Sequence, residues 1–168
     1  MGHEEHRANA PKSLEVAVLS VSSTRSLETD ESGRWIARQA QTEGHQVVFH
    51  EVVPDDVDAI RNAVTRMLVK PSPQAVIITG GTGITPQDVT IEAVKPLLSK
   101  ELTAFAILFT QLSYNEIGSA ALLSRATAGV IGRAVVFCIP GSLKACQLAC
   151  RELILPELGH LVRHGAGH

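Results

Sequence analysis

The sequence predicts an α/β fold, in which helices cover both faces of a mostly parallel β-sheet as an α/β/α sandwich. Three strand-then-helix units follow one another between Leu14 and Leu98, and this succession is the pattern of a parallel sheet. The strands are short apolar runs rich in β-branched residues, which is typical of buried strands. A further buried strand and helix follow a less regular stretch, and 168 residues suffice for a single core.

The individual elements follow from apolar spacing and from residues that start or stop helices. The predicted strands are residues 14–19, 46–53, 75–79 and 133–139. The predicted helices are residues 29–42, 60–68, 87–98, 105–118 in part, 120–125 and 143–158. Gly44 closes the first helix, Pro156 stops the last, and Gly129 and Gly132 mark a turn or short hairpin. We predict one domain over residues 13–162, between a flexible lead-in of residues 1–12 and a flexible tail of residues 163–168.

Composition argues against several classes of function. The net charge is −2 and the basic residues are scattered, so neither nucleic acid nor an anionic membrane is an expected partner. No apolar run approaches the ~18 residues of a membrane helix. Three cysteines and no signal peptide indicate a reduced, cytoplasmic protein, in which Cys146 and Cys150 pack as small hydrophobic residues.

The most informative segment is the glycine turn, residues 80–83, which follows the third predicted strand. Thr85, Pro86 and Asp88 supply a capping hydroxyl, a proline and an acid at the spacing of a helix start. Such a turn lets backbone N–H groups face an anion. The turn lacks the lysine of a Walker loop, and Pro86 breaks the dinucleotide fingerprint. A purely steric turn remains the alternative to phosphate binding.

Two acids stand where a ligand is expected. In open parallel α/β sheets, ligands bind beyond the carboxyl ends of the strands. Those ends carry the loops at residues 20–24, 54–56, 80–88 and 140–142. Asp55 and Asp88 lie in two of these loops, where one acid can hold Mg²⁺ and the other can contact a nucleotide. Each also has a structural alternative, because Asp55 can cap the second helix and Asp88 can complete a capping box.

These motifs carry a resemblance to a known family. Thr79–Gly83, followed by Asp88-Val89-Thr90 and Glu92-Ala93, closely resembles the MoaB/Mog family of molybdenum cofactor biosynthesis proteins, which includes the molybdopterin adenylyltransferases. Further similar blocks are residues 29–33, 44–45, 54–56, 112–118, 123–126 with 129–130, and 140–142 with 144–145. The segments 113–118 and 140–146 look more like the MoaB branch than the Mog branch.

The resemblance implies a three-layer α/β fold assembled as a homo-oligomer, either a trimer or a hexamer. It implies an enzyme, a nucleotidyltransferase that transfers AMP from Mg-ATP to molybdopterin and releases pyrophosphate. Asp55 and Asp88 match the two acids that the adenylyltransferases require, and Asp88 is the expected Mg²⁺ ligand. The expected substrate-binding and nucleotide-binding residues are Ser22, Gly80, Gly81, Thr82, Gly83, Thr90, Ser113, Glu116, Ser124, Arg125, Pro140, Gly141 and Ser142. A downstream molybdate-inserting enzyme is a further expected partner.

Several of these assignments have alternatives. Arg125 can bond helix carbonyls, and Ser113 with Glu116 can form a capping box. Many relatives have an acid at the position of Ser23, and glycine and arginine at those of residues 104 and 110, where this chain has alanine and threonine. A non-catalytic molybdopterin- or nucleotide-binding protein of the same pathway is the alternative function, and an oligomeric interaction domain is the third.

Overall fold

The computed structural model describes residues 11–165 of the chain. The strands are β1 (Glu15–Val21), β2 (Gln46–Val53), β3 (Ala75–Thr79), β4 (Lys100–Glu101), β5 (Thr127–Ile131) and β6 (Ala134–Ile139). The helices are α1 (Glu31–Thr42), α2 (Val57–Val69), α3 (Thr90–Val94), α4 (Thr103–Ile117), α5 (Leu143–Ala149) and α6 (Leu155–Gly165). Short 3₁₀ segments follow α3 at Lys95–Leu97 and α4 at Gly118–Leu123, and a π-helical segment, Cys150–Ile154, joins α5 to α6.

The six strands form one sheet in the order β2-β1-β3-β6-β5-β4. The first four are parallel, whereas β5 runs antiparallel to both β6 and β4. One face is covered by α1, α4, α5 and α6, with Ile36, Phe109 and Leu158 fully buried against it. The other face packs against α2 and α3 through residues such as Ile60 and Met67. The predicted three-layer α/β/α architecture is therefore confirmed.

Three predicted boundaries are wrong for identifiable reasons. The cap of α2 is Asp56, whose carboxylate accepts from the Ala59 amide at 2.8 Å, rather than Asp55. The helix expected from residue 87 begins only at Thr90, because Asp88 folds back on Thr85 and closes a turn. Pro156 does not end the last helix. It lies in the first turn of α6, directly after the π-helical segment, where a missing N–H is tolerated.

The hairpin signal is also refined by the structure. Gly132, at a φ of +60°, forms the turn between β5 and β6. Gly129 lies inside β5 instead, where an added Cβ would come 2.2 Å from the carbonyl oxygen of Lys100.

At the termini, α6 continues to Gly165, three residues into the predicted tail, which therefore holds helical residues. The rest of that tail, and residues 1–10 of the predicted lead-in, lie outside the described residues. Within residues 11–165, no helix is long and apolar enough to cross a membrane.

Candidate functional site

A cleft of about 450 Å³ lies at the edge of the sheet where β1, β3 and β6 end. It is lined by Ser20, Val21, Ser22, Thr24, Arg25, Asp30, Ser32, Thr79, Gly80, Gly81, Thr82, Gly83, Asp88, Ser124, Pro140, Gly141 and Ser142. The structure thus brings together most of the residues that the sequence marked for a ligand, and it does so where the topology predicted. Asp55, Thr90, Ser113, Glu116 and Arg125 are the predicted residues outside this lining.

The glycine turn is held in one conformation by its neighbours. Gly80 and Gly81 have φ angles of +96° and +66°, a region that favours glycine. Thr90, fully buried behind the turn, donates its hydroxyl to the Gly80 carbonyl at 2.7 Å and its amide to the Gly81 carbonyl at 2.9 Å. Thr90 therefore cannot touch a ligand, and its predicted binding role is corrected to support of the turn.

The same turn leaves backbone donors available. Within residues 11–165, neither Gly81 nor Thr82 donates its amide to an intramolecular acceptor. Their carbonyls, by contrast, are engaged, as are those of Gly80 and Gly83. Two successive amides without an intramolecular acceptor, in a turn whose Gly80 and Gly81 have positive φ angles, form an arrangement that can bind anions such as phosphate.

Arg125 holds the outer half of the turn. Its Nε lies 3.1 Å from the carbonyl oxygens of both Thr82 and Gly83, and its terminal nitrogens form an ion pair with Glu92. Of the two predictions for Arg125, bonding to backbone carbonyls is the one observed, although these carbonyls belong to the turn and not to a helix. Direct phosphate binding by this guanidinium would compete with those bonds.

We expect Arg125→Met to loosen the turn, because it removes several charge-assisted bonds at once. The free energy of unfolding should fall by about 1–3 kcal/mol, measured by urea denaturation. The control is Arg66→Met, which removes an exposed pair with Glu51 and should cost less than about 1 kcal/mol. If the free energy of unfolding falls equally in the two variants, Arg125 does not stabilise the glycine turn.

Asp88 combines a structural contact with a position in the cleft. Its Oδ2 accepts from the hydroxyl of Thr85 at 2.7 Å and from the Thr85 amide at 2.9 Å. The Thr85 hydroxyl lowers the pKa of the Asp88 carboxyl against a smaller opposing effect of burial, and the amides of Thr85 and Gly83 and the charge of Arg125 lower it further. Asp88 is therefore a carboxylate at neutral pH, in contact with solvent in the cleft.

Asp55 lies against the glycine turn, in the loop after β2. Its Oδ1 lies 3.2 Å from the point that a Cβ on Gly81 would occupy, and its Oδ2 accepts from the Ser23 hydroxyl at 2.7 Å. The two acids thus approach the turn from two different loops. Asp55 does not cap α2, since Asp56 does so.

Ser113 and Glu116 lie in an adjoining groove of about 420 Å³ instead of the cleft. Both are in the last turns of α4, so they do not form the capping box that would start a helix. Ser124 and Ser142 line both the groove and the cleft, so the two spaces are neighbours.

Sequence reasoning missed several residues at the floor and rim of the cleft. Asp30 is buried, and its Oδ2 contacts the Ser20 hydroxyl at 2.5 Å and His50 Nε2 at 3.0 Å. Burial raises the pKa of Asp30, but bonds from His50, Ser20 and the Gly33 amide outweigh it and lower that pKa. Arg25 supplies a cation to the cleft, one residue beyond the hydroxyl-rich loop that the sequence had singled out.

The residues of the cleft are compatible with Mg²⁺ delivered with a nucleotide. Across residues 11–165, no group of three or more His, Cys, Asp or Glu side chains is arranged to hold a metal ion. Mg²⁺ commonly needs only one or two carboxylates, because water and substrate phosphates complete its shell. The ionised Asp88 beside an anion-binding turn fits that requirement.

All three cysteines are buried, and burial raises the pKa of Cys138 to about 12.

Comparison with known proteins identifies the family. The model of the family described as "Probable molybdopterin binding domain" matches residues 17–160. The chain belongs to the MoaB/Mog family. Molybdenum cofactor biosynthesis protein B of Bacillus subtilis is 47% identical over 164 residues, which cover 97% of this chain and 96% of the relative. The protein of the same name from Bacillus cereus is 48% identical over 162 residues, 96% of each chain.

Solved structures of MoaB/Mog proteins share the fold described above. A crystal structure of molybdenum cofactor biosynthesis protein B superimposes with a TM-score of 0.91 at 46% identity, covering 95% of this chain and all of that one. The tungsten cofactor synthesizing protein MoaB from Pyrococcus furiosus gives 0.84 at 38% identity, covering 94% and 99%. A MogA structure gives 0.82 at 26% identity, covering 90% and 99%. These identities agree with the closer likeness to the MoaB branch expected from residues 113–118 and 140–146.

Proposed function

We propose that this chain is a molybdopterin adenylyltransferase. In the reaction, a terminal phosphate oxygen of molybdopterin attacks the α-phosphorus of ATP, the bond from that phosphorus to the bridging oxygen breaks, and pyrophosphate leaves. The proposal rests on the arrangement of two acids around the glycine turn. Two acids, Asp55 and Asp88, approach a glycine turn that lines the cleft and whose Gly81 and Thr82 amides have no intramolecular acceptor.

The residues of the cleft suit a transfer that depends on position and charge. The Gly81 and Thr82 amides bind nucleotide phosphate oxygens, and Arg25 adds positive charge beside them. When bound, Mg²⁺ would supply further neutralisation of the phosphates, and Asp88 is the residue that would hold it. Asp55, whose Oδ1 lies toward Gly81, orients the attacking phosphate from the loop after β2. Ser142 and the Pro140-Gly141 backbone, which lies next to Gly80 in the lining of the cleft, hold substrate phosphate or pterin.

The direct test incubates the purified protein with molybdopterin and Mg-ATP and measures adenylylated molybdopterin and pyrophosphate in equal amounts. Omitting Mg²⁺ by adding a chelator should stop both products. If molybdopterin binds but no AMP is transferred, the chain is the non-catalytic pathway protein instead. If AMP is transferred, replacing ATP by other nucleoside triphosphates establishes which nucleotide the cleft prefers.

We further propose that the chain assembles with copies of itself as a trimer or hexamer. The apolar strip of α4 and the following 3₁₀ segment, defined as Ile107, Leu108, Tyr114, Ile117, Leu122 and Leu123, consists of residues that are each more than half exposed. Large apolar side chains gathered on one segment favour an interface. The adenylylated product would pass from such an assembly to the molybdate-inserting enzyme.

Ile107→Glu is expected to dissociate the assembly, because it places a charge within the apolar strip. Size-exclusion chromatography with light scattering measures the mass of each variant. Val69→Glu is the matched control, since Val69 is 78% exposed on α2, which packs on the other face of the sheet. A wild-type protein that is monomeric at micromolar concentration would contradict this assignment of the strip.

A further inference from the structure

Ser23 and Asp55 form a reciprocal pair of hydrogen bonds between two loops. The Ser23 hydroxyl donates to Asp55 Oδ2 at 2.7 Å and accepts from the Asp55 amide at 3.1 Å. The pair directly extends the β1–β2 ladder, in which Val21 pairs with Val53 and the Ser22 amide donates to the Val53 carbonyl at 2.9 Å. The end of the ladder thus fixes the position of an acidic side chain.

The same pair of hydrogen bonds also fixes the position of Oδ1, the other carboxylate oxygen of Asp55. With Oδ2 held by Ser23, Oδ1 lies toward Gly81, 3.2 Å from the point where a Cβ would sit. Asp55 is only half-buried and Ser23 is exposed. Without this anchor, the Asp55 side chain would be free to occupy its other rotamers in solvent. One hydroxyl therefore restricts both the backbone and the side chain of Asp55.

The neighbours of Ser23 show that its own orientation is distinct. Ser22 and Thr24, on either side, line the cleft, whereas Ser23 does not. Its hydroxyl is directed instead to the loop that follows β2. Only a side chain that can donate to a carboxylate and accept from an amide makes both bonds, and serine or threonine meets that requirement.

We propose that Ser23 is a positioning residue that holds Asp55 for AMP transfer, an inference that rests on the proposed function. Ser23 itself touches neither substrate nor metal. A displacement of about 1 Å in an orienting group can lower a rate by as much as 100-fold. Loss of the Ser23 bonds should therefore reduce kcat for AMP transfer, with little change in KM for Mg-ATP, which is bound by the glycine turn.

The test compares Ser23→Ala, Ser23→Thr and the control Ser26→Ala. Ser26 lies in the same exposed loop, but its hydroxyl bonds to Glu28 and Thr29 within that loop. We expect Ser23→Ala to lower kcat about tenfold or more. Ser23→Thr should restore it to within about threefold, because threonine keeps the hydroxyl, and Ser26→Ala should match the wild type. Circular dichroism and urea unfolding verify that every variant is folded.

The outcomes separate this inference from the function on which it rests. An inactive wild type that still binds molybdopterin overturns the proposed transferase, and the role of Ser23 with it. An active wild type with an unchanged kcat in Ser23→Ala overturns the inference alone. The same holds if Ser23→Thr is as impaired as Ser23→Ala, or if the loss appears only in KM.

Discussion

Replacing Asp88 by asparagine is expected to lower kcat for AMP transfer by about 100-fold or more while leaving the fold intact, because one carboxylate charge disappears beside the phosphates. Asparagine is nearly the same shape, and its carbonyl oxygen can still accept from the Thr85 amide and hydroxyl that now bond to Asp88. The turn should therefore persist. The measurements are kcat and KM for Mg-ATP, with the free energy of unfolding determined on the same samples.

The matched control for Asp88→Asn is Asp58→Asn, which removes an exposed acid in the first turn of α2 and should not alter kcat. Full activity in Asp88→Asn would show that this acid serves only the turn. The lowered pKa of Asp88, below its usual 3.8, adds a pH criterion. Activity that requires the carboxylate is present above that pKa and is lost as pH falls through it. No inflection between about pH 6 and pH 9 should arise from Asp88.

Gly80→Ala should have the largest effect on stability at the site. At a φ of +96°, an alanine is strained, and its Cβ would lie 2.3 Å from the carbonyl oxygen of Val21 at the end of β1. Backbone on both sides would have to move. We expect the free energy of unfolding to fall by about 3 kcal/mol or more, measured by urea denaturation, together with loss of Mg-ATP binding.

Gly132→Ala is the control that separates the backbone strain of an alanine at positive φ from the steric clash of its Cβ. Gly132 also has a positive φ, +60°, but a Cβ there would meet no atom within 4 Å. Its expected cost is about 1 kcal/mol, with binding of Mg-ATP unchanged. If Gly80→Ala proves no worse than Gly132→Ala, the close approach of the glycine turn to β1 is not a constraint on the folded protein.

Sequence patterns predicted β1, β2, β3 and β6 to within two residues at each end, but they did not predict β4 or β5 as strands, and helix starts were less accurate. The second strand was predicted at residues 46–53, its observed bounds, because four of its eight residues are valine and Gly44 and Pro54 flank it. Helix starts are ambiguous, since a capping acid satisfies a turn equally well. Asp88 bonds Thr85 in an isolated turn, and α3 begins at Thr90, after residues that are not helical. The last helix contains Pro156 directly after a π-helical segment, and no residue pattern predicted that segment.

The candidate site was predictable to the extent that topology determines it. Residues after β1, β3 and β6 converge because parallel strands share a carboxyl edge. Roles that depend on side-chain direction were not predictable. Thr90 lies behind the turn it was expected to share with a ligand, and Arg125 bonds turn carbonyls. Asp30 went unnoticed because a helix N-cap ordinarily explains an aspartate, and only the structure shows that it also lines the cleft.

The bonds to four successive carbonyls of the glycine turn have a thermodynamic consequence. Thr90 and Arg125 hold the oxygens of Gly80, Gly81, Thr82 and Gly83 before any ligand arrives. The loss of backbone conformational entropy that would otherwise accompany phosphate binding has therefore already occurred during folding. A preorganised turn of this kind would favour affinity for the proposed nucleotide without additional contacts.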